Sequence, residues 1–161
     1  LLLPAARRGW NARALLVACG YAICLVTFAL ANRMTTAANA IYLQATAPLY
    51  LLLLGPWLLR ERVKRSDLGF LAAIAAGMVL FFVAEQPPSR TAPAPLAGNI
   101  LGVISGITWA FVIAGLRWIE SGPTGEQSGM ATVAAGNALA FLIALPMALP
   151  ITRSETADWV V

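Results

Sequence analysis

Five stretches of the chain carry no Asp, Glu, Lys or Arg: residues 14–31, 37–59, 68–84, 96–116 and 129–151. Each is close to the roughly 20 apolar residues that a helix needs to cross a hydrocarbon core of about 30 Å, the third a little short. Lipid offers no partners to backbone N–H and C=O groups, so each stretch must be helical or belong to a closed barrel. Barrel strands alternate apolar and polar positions over about 10 residues, whereas these runs are continuously apolar. The pattern predicts five transmembrane helices, an all-α integral membrane fold.

The segments between them are short and hold the charge. The third, residues 60–67, reads Arg-Glu-Arg-Val-Lys-Arg-Ser-Asp. Residues 85–95 are rich in proline and predict an extended surface loop. Residues 117–128 contain Gly122-Pro123 and Gly125, which reads as a turn connector. Arg7, Arg8, Arg13, Arg60, Arg62, Lys64, Arg65 and Arg117 fall in the first, third and fifth segments; only Arg33, Arg90 and Arg153 fall in the others. Basic residues concentrate on the cytoplasmic side of a membrane. Segments 7–13, 60–67 and 117–128 are therefore expected in the cytoplasm.

Composition supports the same reading. Hydrophobic residues make up 60% of the 161 and charged ones 11%, against roughly 25% charged in an average soluble domain. The formal net charge of +4 comes from short interhelical clusters, a pattern of membrane orientation that speaks against a nucleic-acid partner. The absence of histidine removes the commonest metal ligand and general base. Cys19 and Cys24 sit in one apolar run, without metal or disulfide spacing, and read as small packing residues. No catalytic, metal or cofactor site is expected. Leu1-Leu2-Leu3 reads as the tail of an earlier run and Trp159-Val160-Val161 as the opening of a later one, so the expectation is an internal piece of a longer protein.

Small residues let membrane helices approach closely. Three stripes have that spacing: Gly69, Ala73 and Gly77; Gly98, Gly102 and Gly106; Gly136, Ala140 and Ala144. They predict packing within the bundle, a dimer seam being the alternative. In the second run Asn39, Tyr42, Thr46 and Tyr50 recur every three or four residues, along one helix face. Such residues either line a wet cavity or hydrogen-bond between helices. Pro48 denies an N–H to the Gln44 carbonyl and predicts a helix kink beside them. Trp109, mid-helix and expected on the side of Gly98, Gly102 and Gly106, completes the candidate substrate-binding set of Asn39, Tyr42, Thr46, Tyr50 and Trp109.

The stretch from Phe28 to Phe82 resembles the EamA repeat of the drug/metabolite transporter superfamily. The resemblance rests on Phe28-Ala29-Leu30-Ala31, on residues 37–49 (AANAIYLQATAPL), on Leu58-Leu59-Arg60-Glu61-Arg62, on Asp67-Leu68-Gly69 and on Ala76-Gly77-Met78-Val79-Leu80. Residues 98–116, with Ser105-Gly106-Ile107-Thr108-Trp109-Ala110, look like the start of a second copy. The resemblance implies a ten-helix parent built from two five-helix inverted repeats. Residues 1–86 would hold the end of helix two and helices three to five. Residues 87–95 would form an extracytoplasmic loop, and residues 96–161 helices six and seven with the start of helix eight. Glu61, flanked by Arg60 and Arg62, is expected to pair with charges at the membrane surface.

The function this implies is a multi-pass transporter of the plasma membrane, here a bacterial inner membrane. It would export a small metabolite, amino acid-like solute or drug by alternating access. Its partners would be the solute, the lipid bilayer and, as a further possibility, copies of itself. A non-transporting scaffold or assembly subunit is the alternative. An intramembrane enzyme would need a buried acid or base, and none stands in the five runs.

Overall fold

The computed structural model describes residues 9–58, 64–83, 87–122 and 125–149. Six helices follow one another: α1 (Ala12–Met34), α2 (Ala37–Ala45), α3 (Ala47–Leu58), α4 (Arg65–Val83), α5 (Pro95–Glu120) and α6 (Gly125–Ala148). There is no strand among the described residues, only an isolated bridge between Ser89 and Ala92. Helices α2 and α3 make one span, Ala37–Pro56, so the helices give five membrane-length apolar crossings. All five coincide with the expected runs.

Local chemistry sets the helix ends. The Asn11 side chain accepts from the Ala14 N–H at 2.8 Å and caps α1. Thr36 accepts from the Asn39 N–H at 3.3 Å and caps α2. Both satisfy donors that a first helical turn leaves orphaned. At α4 the Asp67 carboxylate reaches back to the Lys64 N–H at 3.0 Å. Helix α5 opens with Pro95, whose missing N–H costs nothing there.

The predicted kink is a one-residue interruption of the helix. The second span separates into α2 and α3 at Thr46, two residues before Pro48. The proline ring cannot donate to the Gln44 carbonyl and crowds it. The Thr46 hydroxyl donates to the Leu43 carbonyl at 2.6 Å, and the Leu49 N–H to the Thr46 carbonyl at 2.9 Å. Pro48 then occupies the first turn of α3, where proline is tolerated.

Helix α5 is the centre of the bundle and touches α1, α2, α3 and α6; α1 lies between α5 and α6. Val17, Ala14, Val112 and Ile119 form the buried core between α1 and α5, with Tyr21, Phe111 and Leu116 around it. At one end Arg13 lies over the Trp118 ring, 4.4 Å from its centroid, and Asn11 donates to Ser128 at 3.2 Å. Those two contacts bring the starts of α1 and α6 together with the end of α5. At the other end the Ala94 N–H donates to the Met34 carbonyl at 3.1 Å.

Several packing expectations need correction. Gly69 meets nothing within 4 Å of a would-be Cβ, and Ala73 is exposed, so of that stripe only Gly77 packs, under the Tyr42 hydroxyl. In α6, Gly136 lies against Tyr21 and Ala140 is buried, but Ala144 is exposed. Small residues permit a close approach; whether a neighbour arrives is decided elsewhere. Cys19 is exposed while Cys24 is buried, so only Cys24 is a packing residue within this bundle. The described part of the proline-rich loop is not extended. Ser89 and Ala92 pair backbone to backbone at 2.9 and 3.2 Å, and Ala92 is buried. Glu61, Arg60 and Arg62 lie outside the described residues, as does the end of the chain from residue 150.

Candidate functional site

Polar groups are expensive in a membrane interior unless they are partnered. Among the described residues, no buried side-chain nitrogen or oxygen lacks a hydrogen-bond partner. Ser128 and Thr132 bond to the start of α1 and to their own helix; the other buried polar side chains collect along the second span and the helices facing it.

The first cluster sits where α1 turns into α2. Thr35, Asn39 and Asn99 are all buried. The Thr35 hydroxyl donates to Asn99 Oδ1 at 2.9 Å. Asn39 Nδ2 donates to the same oxygen and to the Thr35 hydroxyl, each at 3.3 Å. Asn99 Nδ2 in turn donates to the Phe81 carbonyl at 3.1 Å. Asn99 thus ties α5 to α2 and to the last turn of α4.

A second cluster lies one helical stretch deeper. Gln44 Nε2 donates to the Ser105 hydroxyl at 2.9 Å and reaches Cys24 Sγ at 3.7 Å. The Ser105 hydroxyl can donate to the Cys24 carbonyl at 3.3 Å, and the Cys24 thiol to the Ser105 carbonyl at 3.5 Å. The backbone of α5 comes close here because Gly102 and Gly106 have no side chains. A Cβ on Gly102 would stand 3.0 Å from Leu43 Cβ, and one on Gly106 2.8 Å from the Leu43 carbonyl.

An aromatic wall faces α4. Tyr42 and Phe81 stack with centroids 4.6 Å apart, and the Tyr50 hydroxyl lies 3.4 Å from Met78 Sδ.

The candidate residues are therefore divided among several environments. Asn39 turns to the Thr35–Asn99 cluster. Tyr42, 38% exposed, lies against α4. Thr46 is buried and bonded to its own helix end. Tyr50 bridges towards α4, with its ring near Gly106. Trp109 is 38% exposed while Ala110 is fully buried. The Gly98, Gly102 and Gly106 track therefore continues into Ala110, and Trp109 stands off it. Sequence reasoning missed Asn99, Thr35 and the side chain of Gln44. The signal for Asn99 was available: an amide one residue after Gly98, inside an uncharged run.

Five membrane-length helices, a broken central span and polar clusters partnered inside the bundle define a polytopic helical membrane protein. The model of the EamA-like transporter family matches residues 3–83, half of the chain. The chain belongs to the EamA-like transporter family, and so to the membrane transporters of the drug/metabolite superfamily. Curated protein sequences and solved structures give no match. The family match ends at Val83, the last residue of α4.

Proposed function

We propose that this protein exports a small metabolite, amino acid-like solute or drug across the bacterial inner membrane by alternating access. The observation that carries the proposal is the α2–α3 break at Thr46, which stands beside polar and aromatic side chains halfway along a crossing. Discontinuous helices of this kind build midplane sites in transporters whose repeats rock against each other. On this reading residues 1–86 belong to a first repeat, 87–95 to an extracytoplasmic loop and 96–161 to a second. Asn39, Tyr42, Thr46, Tyr50 and Trp109 contribute to the solute cavity.

The test is solute flux through the full-length protein in proteoliposomes. Asn39→Ala and Tyr42→Phe are each expected to reduce flux about tenfold, the loss expected when one well-placed polar contact of about 1.4 kcal/mol disappears. Wild-type rate and affinity in both variants would remove these residues from the cavity.

Segments 7–13, 60–67 and 117–128 face the cytoplasm on this reading. The contacts that join the start of α1 to the end of α5 support the shared side of the first and last of these. A single cysteine at Lys64, in a chain lacking Cys19 and Cys24, should resist an impermeant thiol reagent added outside intact cells. Labelling from outside would reverse the orientation.

The scaffold alternative rests on the small-residue seam of α5 as a partner surface. That seam is filled by residues of the same chain: Gly98 by Thr35 and Met34, Gly102 by Leu43. A homo-oligomer, if one forms, uses other faces.

A further inference from the structure

Gln44 has one end of its amide held across a helix interface and the other end open. Its Nε2 is held by Ser105 and Cys24, while its Oε1 accepts no hydrogen bond among the described residues. The side chain is half-buried, and no unpartnered buried oxygen exists among the described residues, so Oε1 reaches the bundle surface.

The Gln44 amide is oriented with Nε2 toward the Ser105 hydroxyl at 2.9 Å and Oε1 facing away. The Ser105 hydroxyl can donate in turn to the Cys24 carbonyl at 3.3 Å, and the Cys24 thiol to the Ser105 carbonyl at 3.5 Å. Among the described residues, the Gln44 oxygen is the acceptor without a donor.

That acceptor lies deep in the membrane. Gln44 is seven residues beyond the start of α2 at Ala37, about 10 Å along the helix axis. Cys24 and Ser105 are likewise central in α1 and α5. A carboxamide oxygen facing acyl chains would forfeit its hydrogen bonds, and a side chain fixed by two partners cannot swing away to recover them.

We infer that Gln44 lines a water-filled permeation path and offers Oε1 there as a fixed hydrogen-bond acceptor for an N–H or O–H group of the solute. The inference rests on the transporter reading and adds a substrate class to it: solutes that bring a hydrogen-bond donor.

The test does not require the natural solute. Gln44→Cys is placed in the full-length protein with Cys19→Ala and Cys24→Ala, in proteoliposomes, and treated with a cationic, membrane-impermeant methanethiosulfonate. Only a thiolate in contact with water reacts, so Gln44→Cys should label about tenfold or more faster than Leu53→Cys, Leu53 being an exposed apolar position of α3. Ile41→Cys, one turn earlier on the same exposed side of α2, reads the same wall without touching the Ser105 contact. It decides the matter if Gln44→Cys fails to fold.

The acceptor role is read in the Ile41→Cys protein with Gln44 intact. Acetamide, which has N–H groups, should slow labelling at about fivefold lower concentration than N,N-dimethylacetamide, which has none. Gln44→Leu should abolish that difference. Labelling no faster than Leu53→Cys overturns the path, and equal protection by the two amides overturns the acceptor. Neither result depends on solute flux. A protein that labels as expected yet moves no solute would refute the transporter reading and leave the wetted position standing.

Discussion

Gly98→Ala should destabilise the protein by about 3 kcal/mol, the upper end of what overpacking usually costs, while Gly69→Ala should leave it unchanged or gain up to about 1 kcal/mol. The substitution is the same, both positions are helical, and both glycines open a small-xxx-small stripe. They differ in what a methyl group meets. At Gly98 it would lie 2.5 Å from the Thr35 nitrogen, 2.6 Å from Thr35 Cβ and 2.8 Å from the Met34 carbonyl carbon. Two of those atoms are backbone at the end of α1, where no rotamer change can make room. The third belongs to Thr35, whose hydroxyl is committed to Asn99. At Gly69 nothing lies within 4 Å, so the methyl only reduces the freedom of the unfolded chain. Thermal unfolding in one detergent, followed by loss of the monodisperse peak, compares the two. Equal melting would refute the close approach of α5 to the α1–α2 junction.

That contrast also marks how far the sequence could be read. The crossings were legible because a bilayer imposes one length and forbids charge, and uninterrupted runs meet both conditions. The break beside Pro48 was legible because a proline N–H is missing whatever the surroundings. The small-residue stripes were only half legible. Gly98 and Gly69 have the same spacing in sequence, but a helix at the edge of the bundle, such as α4, meets a neighbour at Gly77 and none at Gly69. No residue of its span Ser66–Val83 is buried. Trp109 was misplaced for a related reason. A seam three or four residues apart drifts around a helix, and beyond Gly106 it runs into Ala110, not the tryptophan. Polar residues at helical spacing were legible in the second span, where Asn39 and Tyr42 fall on α2 and Tyr50 on α3. Their partners were not, since Asn99 and Ser105 lie 60 and 61 residues from Asn39 and Gln44. Pairing over such distances is a property of the packed bundle.

Asn99→Leu should lower stability by about 2 kcal/mol, because it removes an acceptor shared by two buried donors and a donor to a helix end at once. Leucine is close to asparagine in size, so the change is chiefly one of hydrogen bonding. The Thr35 hydroxyl and Asn39 Nδ2 lose their common acceptor. The Phe81 carbonyl loses its side-chain donor. It lies in the last turn of α4, where carbonyls have no partner within the helix. The effect should therefore be directional as well as large. Helix α4 has few other ties to the bundle, chiefly the Tyr42–Phe81 stack and the Tyr50–Met78 contact. Asn99→Leu should speed amide hydrogen exchange in residues 79–83 on top of lowering the melting temperature. Asn39→Leu removes one donor from the same cluster but leaves the bond from Asn99 to Phe81 in place. It should lower the melting temperature with little change in α4 exchange. A general loosening in both variants, with α4 no more affected than α1, would mean that Asn99 merely fills space. The selective result would identify it as the residue through which the broken α2–α3 span and the outlying α4 are held in register.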